Sequence, residues 1–193
     1  MSKPLFTTDL RPKNIARRDF VLGVMEKHEV SGRFLEVGCG NGKYGRLLHD
    51  HVDMYVGVDM EAEYLAAAVE GKSSNEHYLF GNGEVLPFNG PFDVVLFGRS
   101  FHYSDDSKTL LREAKRVLDP SGIVIVVEPN EEGAEWNLPE LQPDHKDFDP
   151  RKYRRKIENI KLARAFLAVQ SIMEVCSFEE GKSTNSYRWV LKH

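Results

Sequence analysis

Residues 34–44 read Phe34-Leu35-Glu36-Val37-Gly38-Cys39-Gly40-Asn41-Gly42-Lys43-Tyr44. A short apolar run, Arg33 to Val37, enters glycines at alternate positions, which is the pattern of a buried strand that turns sharply into a helix. Without Cβ atoms the turn lets a ligand approach the backbone, and the next helix points its first N–H groups at it. The stretch therefore predicts a nucleotide-like ligand at the end of a first strand.

Outward from the turn, strand and helix patterns alternate. The spacing predicts helix Lys43 to His51, strand Met54 to Asp59, helix Ala62 to Glu70, and strands His77 to Phe80 and Phe92 to Phe97. Helix Ser107 to Leu118 follows, with Leu110, Leu111, Ala114, Val117 and Leu118 on one face. Asp105 or Asp106 caps it and Asp119-Pro120-Ser121-Gly122 stops it. Ile123 to Val127 is an unbroken β-branched run, expected of a strand covered on both faces. Before the turn, Phe20, Val21, Val24 and Met25, with His28, form the stripe of a helix over residues 14–29. Such alternation predicts an α/β fold, a doubly wound, mostly parallel sheet.

The rhythm breaks at Pro129 to Pro150, which is rich in proline and acid and reads as an inserted loop or lid. A helix over Tyr153 to Ala168 follows, and the runs Ser171 to Glu179 and Ser186 to Lys192 suggest a closing antiparallel hairpin, for seven strands in all. Residues 1–193 are read as one domain: N-terminal helix 14–29, binding core 33–128, lid 129–150, and a C-terminal helix and hairpin 151–193.

Bulk properties narrow the function. The chain has 193 residues, 41% of them hydrophobic and 29% charged, and can bury a core of its own. A net charge of −4 argues against nonspecific nucleic-acid binding by the whole molecule. Charge is segregated, however, because the acids from Glu128 to Asp149 are followed by Arg151, Lys152, Arg154, Arg155, Lys156, Lys161 and Arg164. With no apolar run long enough for a signal peptide or a membrane span, a cytoplasmic protein without membrane attachment is expected. Two cysteines, Cys39 and Cys176, offer neither a disulfide framework nor a thiolate metal site, so no metal is expected.

Asp59, at the end of the second strand, is placed to accept hydrogen bonds from both hydroxyls of a ribose; capping the next helix is the plainer alternative. Gly40-Asn41-Gly42-Lys43-Tyr44-Gly45 also satisfies the dinucleotide pattern, which keeps an NAD-dependent oxidoreductase in view. Glu36 counts against it, since a carboxylate there repels a pyrophosphate but suits an ammonium group. A Tyr-x-x-x-Lys pair after a central strand is also missing.

The glycine motif at Glu36 to Gly42, the acid at Asp59, Gly81-Asn82-Gly83-Glu84-Val85-Leu86-Pro87-Phe88, Phe92-Asp93-Val94-Val95 and the stretch Leu111 to Gly122 come in one order. In these segments, about residues 33–128, the sequence resembles the class I S-adenosylmethionine-dependent methyltransferases of the methyltransferase-11 type. The resemblance implies a Rossmann-like fold and S-adenosyl-L-methionine as cofactor. It implies that Gly38, Gly40 and Gly42 border the methionine portion, Glu36 holds its amino group, Asp59 grips the ribose and Met60 packs on adenine. Asn82 stands where the family usually has Asp and would accept from the adenine amino group. Gly83 would approach the ring, and Gly98 and Arg99 would lie beneath the sulfonium.

Methyl transfer from a sulfonium is an in-line displacement, served by alignment and exclusion of water more than by a dedicated acid or base. Within Gly98-Arg99-Ser100-Phe101-His102-Tyr103, His102 is the candidate base and Arg99 the candidate contact for an anionic acceptor. The acceptor is expected to be a small molecule. An RNA acceptor, contacted by the basic helix after Pro150, and a noncatalytic cofactor-binding partner subunit are the alternatives.

Overall fold

A computed structural model describes residues 12–129, 149–151, 154–159, 161 and 186–192. Its elements are α1 (Pro12–Lys27), β1 (Arg33–Val37), α2 (Lys43–Leu48), β2 (Met54–Asp59), α3 (Ala62–Val69), β3 (Glu76–Phe80), β4 (Phe92–Gly98), α4 (Ser107–Val117), β5 (Leu118–Pro129) and β6 (Ser186–Lys192). They form a six-stranded sheet in the order β3-β2-β1-β4-β5-β6. The first five strands run parallel and β6 pairs antiparallel with β5. This is the doubly wound α/β arrangement that the alternation predicts. The expected strand Ser171 to Glu179, the lid and most of the C-terminal helix lie outside the described residues.

Successive strand residues face opposite sides of a sheet, and here each side has its own apolar layer. Leu35, Val37, Val56, Val58, Val95, Phe97, Val124 and Val126 pack with Leu110, Leu111, Ala114 and Val117 of α4. Phe34, Tyr55, Val94, Leu96, Ile123 and Ile125 face the other way, toward Val21, Val24 and Met25 of α1 and Tyr44 and Leu48 of α2. Burying each such side chain contributes on the order of 1.5–3 kcal/mol, enough to tie both helical layers to the sheet.

Two boundaries differ from the sequence reading. Helix α2 ends at Leu48 and gives way to a 3-10 turn, His49–His51. Strand pairing resumes at once after α4, where Leu118 partners Phe92, and then jumps to Ile123 opposite Val94. Asp119 to Gly122 thus form a bulge within β5. Asp119 accepts the Ser121 N–H at 2.9 Å there, a local bond that needs no ladder partner. At the start of α4, Asp106 is the cap, accepting the N–H groups of Lys108 and Thr109.

The chain reverses direction across the sheet between β1 and β4, since β2 and β3 lie on one side and β5 on the other. Open α/β sheets bind ligands at that switch point, beyond the C-terminal strand ends.

Candidate functional site

Past Val37 the backbone turns through Gly38, Gly40 and Gly42 at φ of 76°, 52° and 72°. Only glycine takes such angles freely, which explains the alternate spacing. The N–H groups of Gly38 and Cys39 both donate to the Val58 carbonyl, at 2.8 and 3.1 Å, docking the turn on the end of β2. From β2 the Asp59 carboxylate reaches back, accepting the Gly40 N–H at 2.7 Å and the Glu61 N–H at 2.9 Å. Asp59 therefore braces both the turn and the start of α3, and retains lone pairs for a ligand hydroxyl.

A cleft of about 730 Å³ opens at this edge. Of the residues expected to meet the cofactor, it brings together Gly38, Gly40, Asp59, Met60, Asn82, Gly83 and Arg99. They come from the ends of β1, β2 and β4 and from the loop after β3. A Cβ added to Gly40 would have no heavy atom within 4 Å, so the turn faces open space there. Gly83 does the reverse: a Cβ would fall 2.5 Å from Val37 and 2.8 Å from Leu110, so glycine lets this loop close on the sheet. Asn82 uses its side-chain oxygen on the Glu84 N–H at 2.8 Å, a turn that holds the amide at the rim.

Gly42, Gly98, Glu36 and His102 do not line the cleft. A Cβ on Gly42 would strike the Tyr78 hydroxyl, and on Gly98 it would strike Tyr44 and Glu36 Oε1, so both are packing glycines behind the wall. Glu36 is buried and accepts the Tyr55 hydroxyl. Burial pushes its pKa well up, with Asp59 adding to the rise and the Tyr55 bond and Lys43 opposing it. Burial likewise pushes up the Cys39 thiol, which makes it a poor nucleophile.

His102 is buried in a 3-10 turn, Phe101–Tyr103. Its Nδ1 meets Glu128 Oε2, while Glu128 Oε1 accepts the Phe101 N–H at 2.8 Å. Nε2 has no hydrogen-bond partner among the described residues. Neither Glu128, fully buried at the end of β5, nor Glu84 stood out in the sequence as a site residue. Glu84 Oε1 accepts from Ser104 Oγ and from the Asp105 and Asp106 N–H groups at 2.7–2.9 Å, which ties the loop after β3 to the one after β4. The signal for Glu128 is its place: an acid directly following an apolar strand run must find donors or pay in desolvation.

The short helical stretch 154–159 closes the same region. Asn159 donates to the carbonyls of His102 and Ser104, at 3.2 and 2.7 Å, and accepts from Ser107 at 2.9 Å. Arg155 pairs with Asp105, and the Lys156 ammonium lies 4.1 Å from the centre of the Tyr103 ring. Tyr103, Ser104 and Asp105 belong to the cleft wall, so the basic stretch adjoins its rim.

Charge in the cleft is lopsided. Asp59, Glu61, Glu63, Glu84 and Asp105 line it against Arg99 alone among the described lining residues. Such a wall favours a ligand of net positive charge over a pyrophosphate. The residues present thus fit S-adenosylmethionine: an open glycine turn, the Asp59 carboxylate on the cleft and an acidic wall.

Sheet order, switch-point cleft and glycine turn agree with the resemblance to the Rossmann-like S-adenosylmethionine-dependent methyltransferases. Residues 35–126 match the family model described as a methyltransferase domain. The demethylmenaquinone methyltransferase of Lactococcus lactis is 34% identical over 102 residues, 49% of this chain and 40% of that protein. The ribosomal RNA small subunit methyltransferase C of Alcanivorax borkumensis is 28% identical over 116 residues, 55% of this chain and 36% of that one. Among solved structures, the PH0226 protein of Pyrococcus horikoshii shares the fold with a TM-score of 0.64 at 21% identity, over 98% of this chain and 95% of its own. The chain spans less than half the length of these two curated relatives. No helix among the described residues is long and apolar enough to cross a membrane.

Proposed function

We propose that this protein binds S-adenosylmethionine in the switch-point cleft and transfers its methyl group to a small-molecule acceptor by in-line displacement. The observation that carries this reading is the convergence of Gly38, Gly40, Asp59, Met60, Asn82, Gly83 and Arg99 on one cleft. When bound, the cofactor supplies a methyl group activated by its sulfonium. The protein's part is to hold and align: Asp59 takes the ribose hydroxyls, Asn82 and Met60 take the adenine, and the Gly38–Gly40 backbone borders the amino-acid end. Arg99, Ser100 and Tyr103 form the wall on the side from which an acceptor approaches. Alignment of this kind supplies most of the acceleration in a displacement that needs no obligatory base.

The acidic wall favours a small acceptor, because a phosphate-rich chain entering the cleft would meet five carboxylates. The similarity to a demethylmenaquinone methyltransferase supports the same choice. Arg151, Arg154, Arg155 and Lys161, all exposed, support an RNA acceptor as the second reading, as does the similarity to a ribosomal RNA methyltransferase. Calorimetry is the test. S-adenosylhomocysteine is expected to bind and NAD not to; tighter binding of NAD overturns the cofactor reading. Tritium transfer from labelled cofactor to quinols, phenols and bulk RNA then separates the acceptors, because RNA binding falls steeply with salt and small-molecule turnover does not.

A further inference from the structure

Strand β3 is an outer strand of the sheet and pairs with β2 in unbroken register, from Tyr55 with Glu76 to Asp59 with Phe80. The ladder is bounded by the Tyr55 N–H on the Asn75 carbonyl and the Gly81 N–H on the Asp59 carbonyl. Alternation along the strand therefore turns the N–H and C=O groups of His77 and Leu79 toward β2 and those of Tyr78 and Phe80 outward. No described residue takes these four outward groups. Edge strands are ordinarily blunted by lysine, proline or a bulge, and Glu76-His77-Tyr78-Leu79-Phe80 has none of these.

The side chains along this edge are apolar on both faces. Leu79 is 39% and Phe80 68% exposed, and neighbours on a strand point to opposite sides. The one carboxylate of the strand, Glu76, is buried. Helix α3 extends the patch on the side that Tyr78 shares with α2. Its Ala68 Cβ stands 3.0 Å from where a Cβ on Gly42 would lie, and the Ala68 carbonyl accepts from Arg46, so that flank looks inward. Ala62, Ala66 and Val69, at spacing i, i+4, i+7, make the opposite flank, and all three are exposed.

We propose that two copies of this chain join β3 to β3, antiparallel, about a two-fold axis at Leu79. In that register Tyr78 pairs with Phe80 of the second copy and Phe80 with its Tyr78, so four N–H···O=C bonds close every outward group. A shift that centres the axis on Tyr78 sets Phe80 against Glu76, whose N–H and C=O are already held by Ser73 and Lys72. At the Leu79 axis the two leucines meet on one face, Tyr78 meets Phe80 on the other, and His77 faces Gly81, so no like charges oppose each other. The Ala62, Ala66 and Val69 flanks of the two α3 helices face one another across the same axis. A second copy is the favoured occupant because the edge complements itself: the contact is isologous and leaves neither β3 edge open. The inference does not depend on the cofactor reading.

Sedimentation velocity on the full chain should show a dimer. Leu79→Asp places two carboxylates on the axis and should give a folded monomer, with the circular dichroism of the wild type, at concentrations where the wild type is dimeric. Register is tested by cross-linking. Across a non-hydrogen-bonded antiparallel pair the Cα atoms lie about 4.5 Å apart, within disulfide reach, so mild oxidation of Leu79→Cys should yield a covalent dimer on non-reducing gels. The counterpart of His77→Cys lies four residues along, about 14 Å away, so this variant should cross-link no more than the wild type. A wild type that sediments as a monomer overturns the proposal and leaves the edge to a foreign strand. A dimer that Leu79→Asp leaves intact, or His77→Cys cross-linking as readily as Leu79→Cys, overturns it equally.

Discussion

Around the glycine turn the wall of the cleft is made by neighbours in sequence. Gly38, Gly40 and Gly42 take positive φ within five residues, and two N–H groups dock on the adjacent strand. Across the cleft, Arg99 to Ser107 have no glycine of their own and are held by distant residues: Val37, Glu84, Val127, Glu128 and Asn159. The first wall is a local conformation that any ligand-binding variant must keep. The second is a consequence of packing, so its shape can change whenever one remote partner changes. On the proposed reading the glycine turn serves the cofactor, and the part of the second wall beyond Arg99 is where an acceptor would be met.

The comparison breaks most visibly at Glu128. Glu128→Ala leaves the Phe101 N–H and the His102 Nδ1 without their buried partner, and each lost partner costs about 1–3 kcal/mol. Urea unfolding should show a loss of about 2–5 kcal/mol, with Glu128→Gln losing less because an amide oxygen still accepts the Phe101 bond. A variant as stable as the wild type would show that the second wall does not depend on this anchor.

A smaller effect, and one of a different kind, is expected on the glycine side. Asp59→Ala should weaken S-adenosylhomocysteine binding by about 1.5–3 kcal/mol, read by calorimetry. Because Asp59 also holds the Gly40 and Glu61 N–H groups, some loss of melting temperature accompanies it. Lost stability with unchanged affinity would make Asp59 a brace and nothing more.

Glu36 sharpens the contrast through pH. Its pKa in the folded chain is raised by burial above the ordinary glutamate value of about 4.3. Below that value both states hold the proton. Above it the unfolded chain ionises first, so the contribution of Glu36 to stability declines as pH rises toward the raised folded pKa. Glu36→Gln does not ionise and can still accept the Tyr55 hydroxyl. Without ligand, it should gain on the wild type with increasing pH above about 4.3, by up to about 1.4 kcal/mol per pH unit, in urea titrations from acid to neutral pH. A constant difference between the two across that range would mean that Glu36 ionises normally in its buried place.

Much was decided by the amino-acid order alone. Strands β1, β2, β4 and the Ile123–Val127 part of β5, helix α4 with a cap at Asp105 or Asp106, and the turn at Gly38 to Gly42 all follow from apolar periodicity, from cap chemistry and from backbone angles that glycine alone takes freely. Those signals act within a few residues, so they can be read without the fold. Only the tertiary structure decided that Glu36 turns toward Tyr55 while Asp59 and Asn82 reach the rim, that His102 lies behind the wall against Glu128, and that Arg99 is twisted into the cleft. The reason is register: which side chain meets which depends on strand order and on partners up to sixty-three residues away, as Ser100 and Val37 are, and no local pattern carries that information.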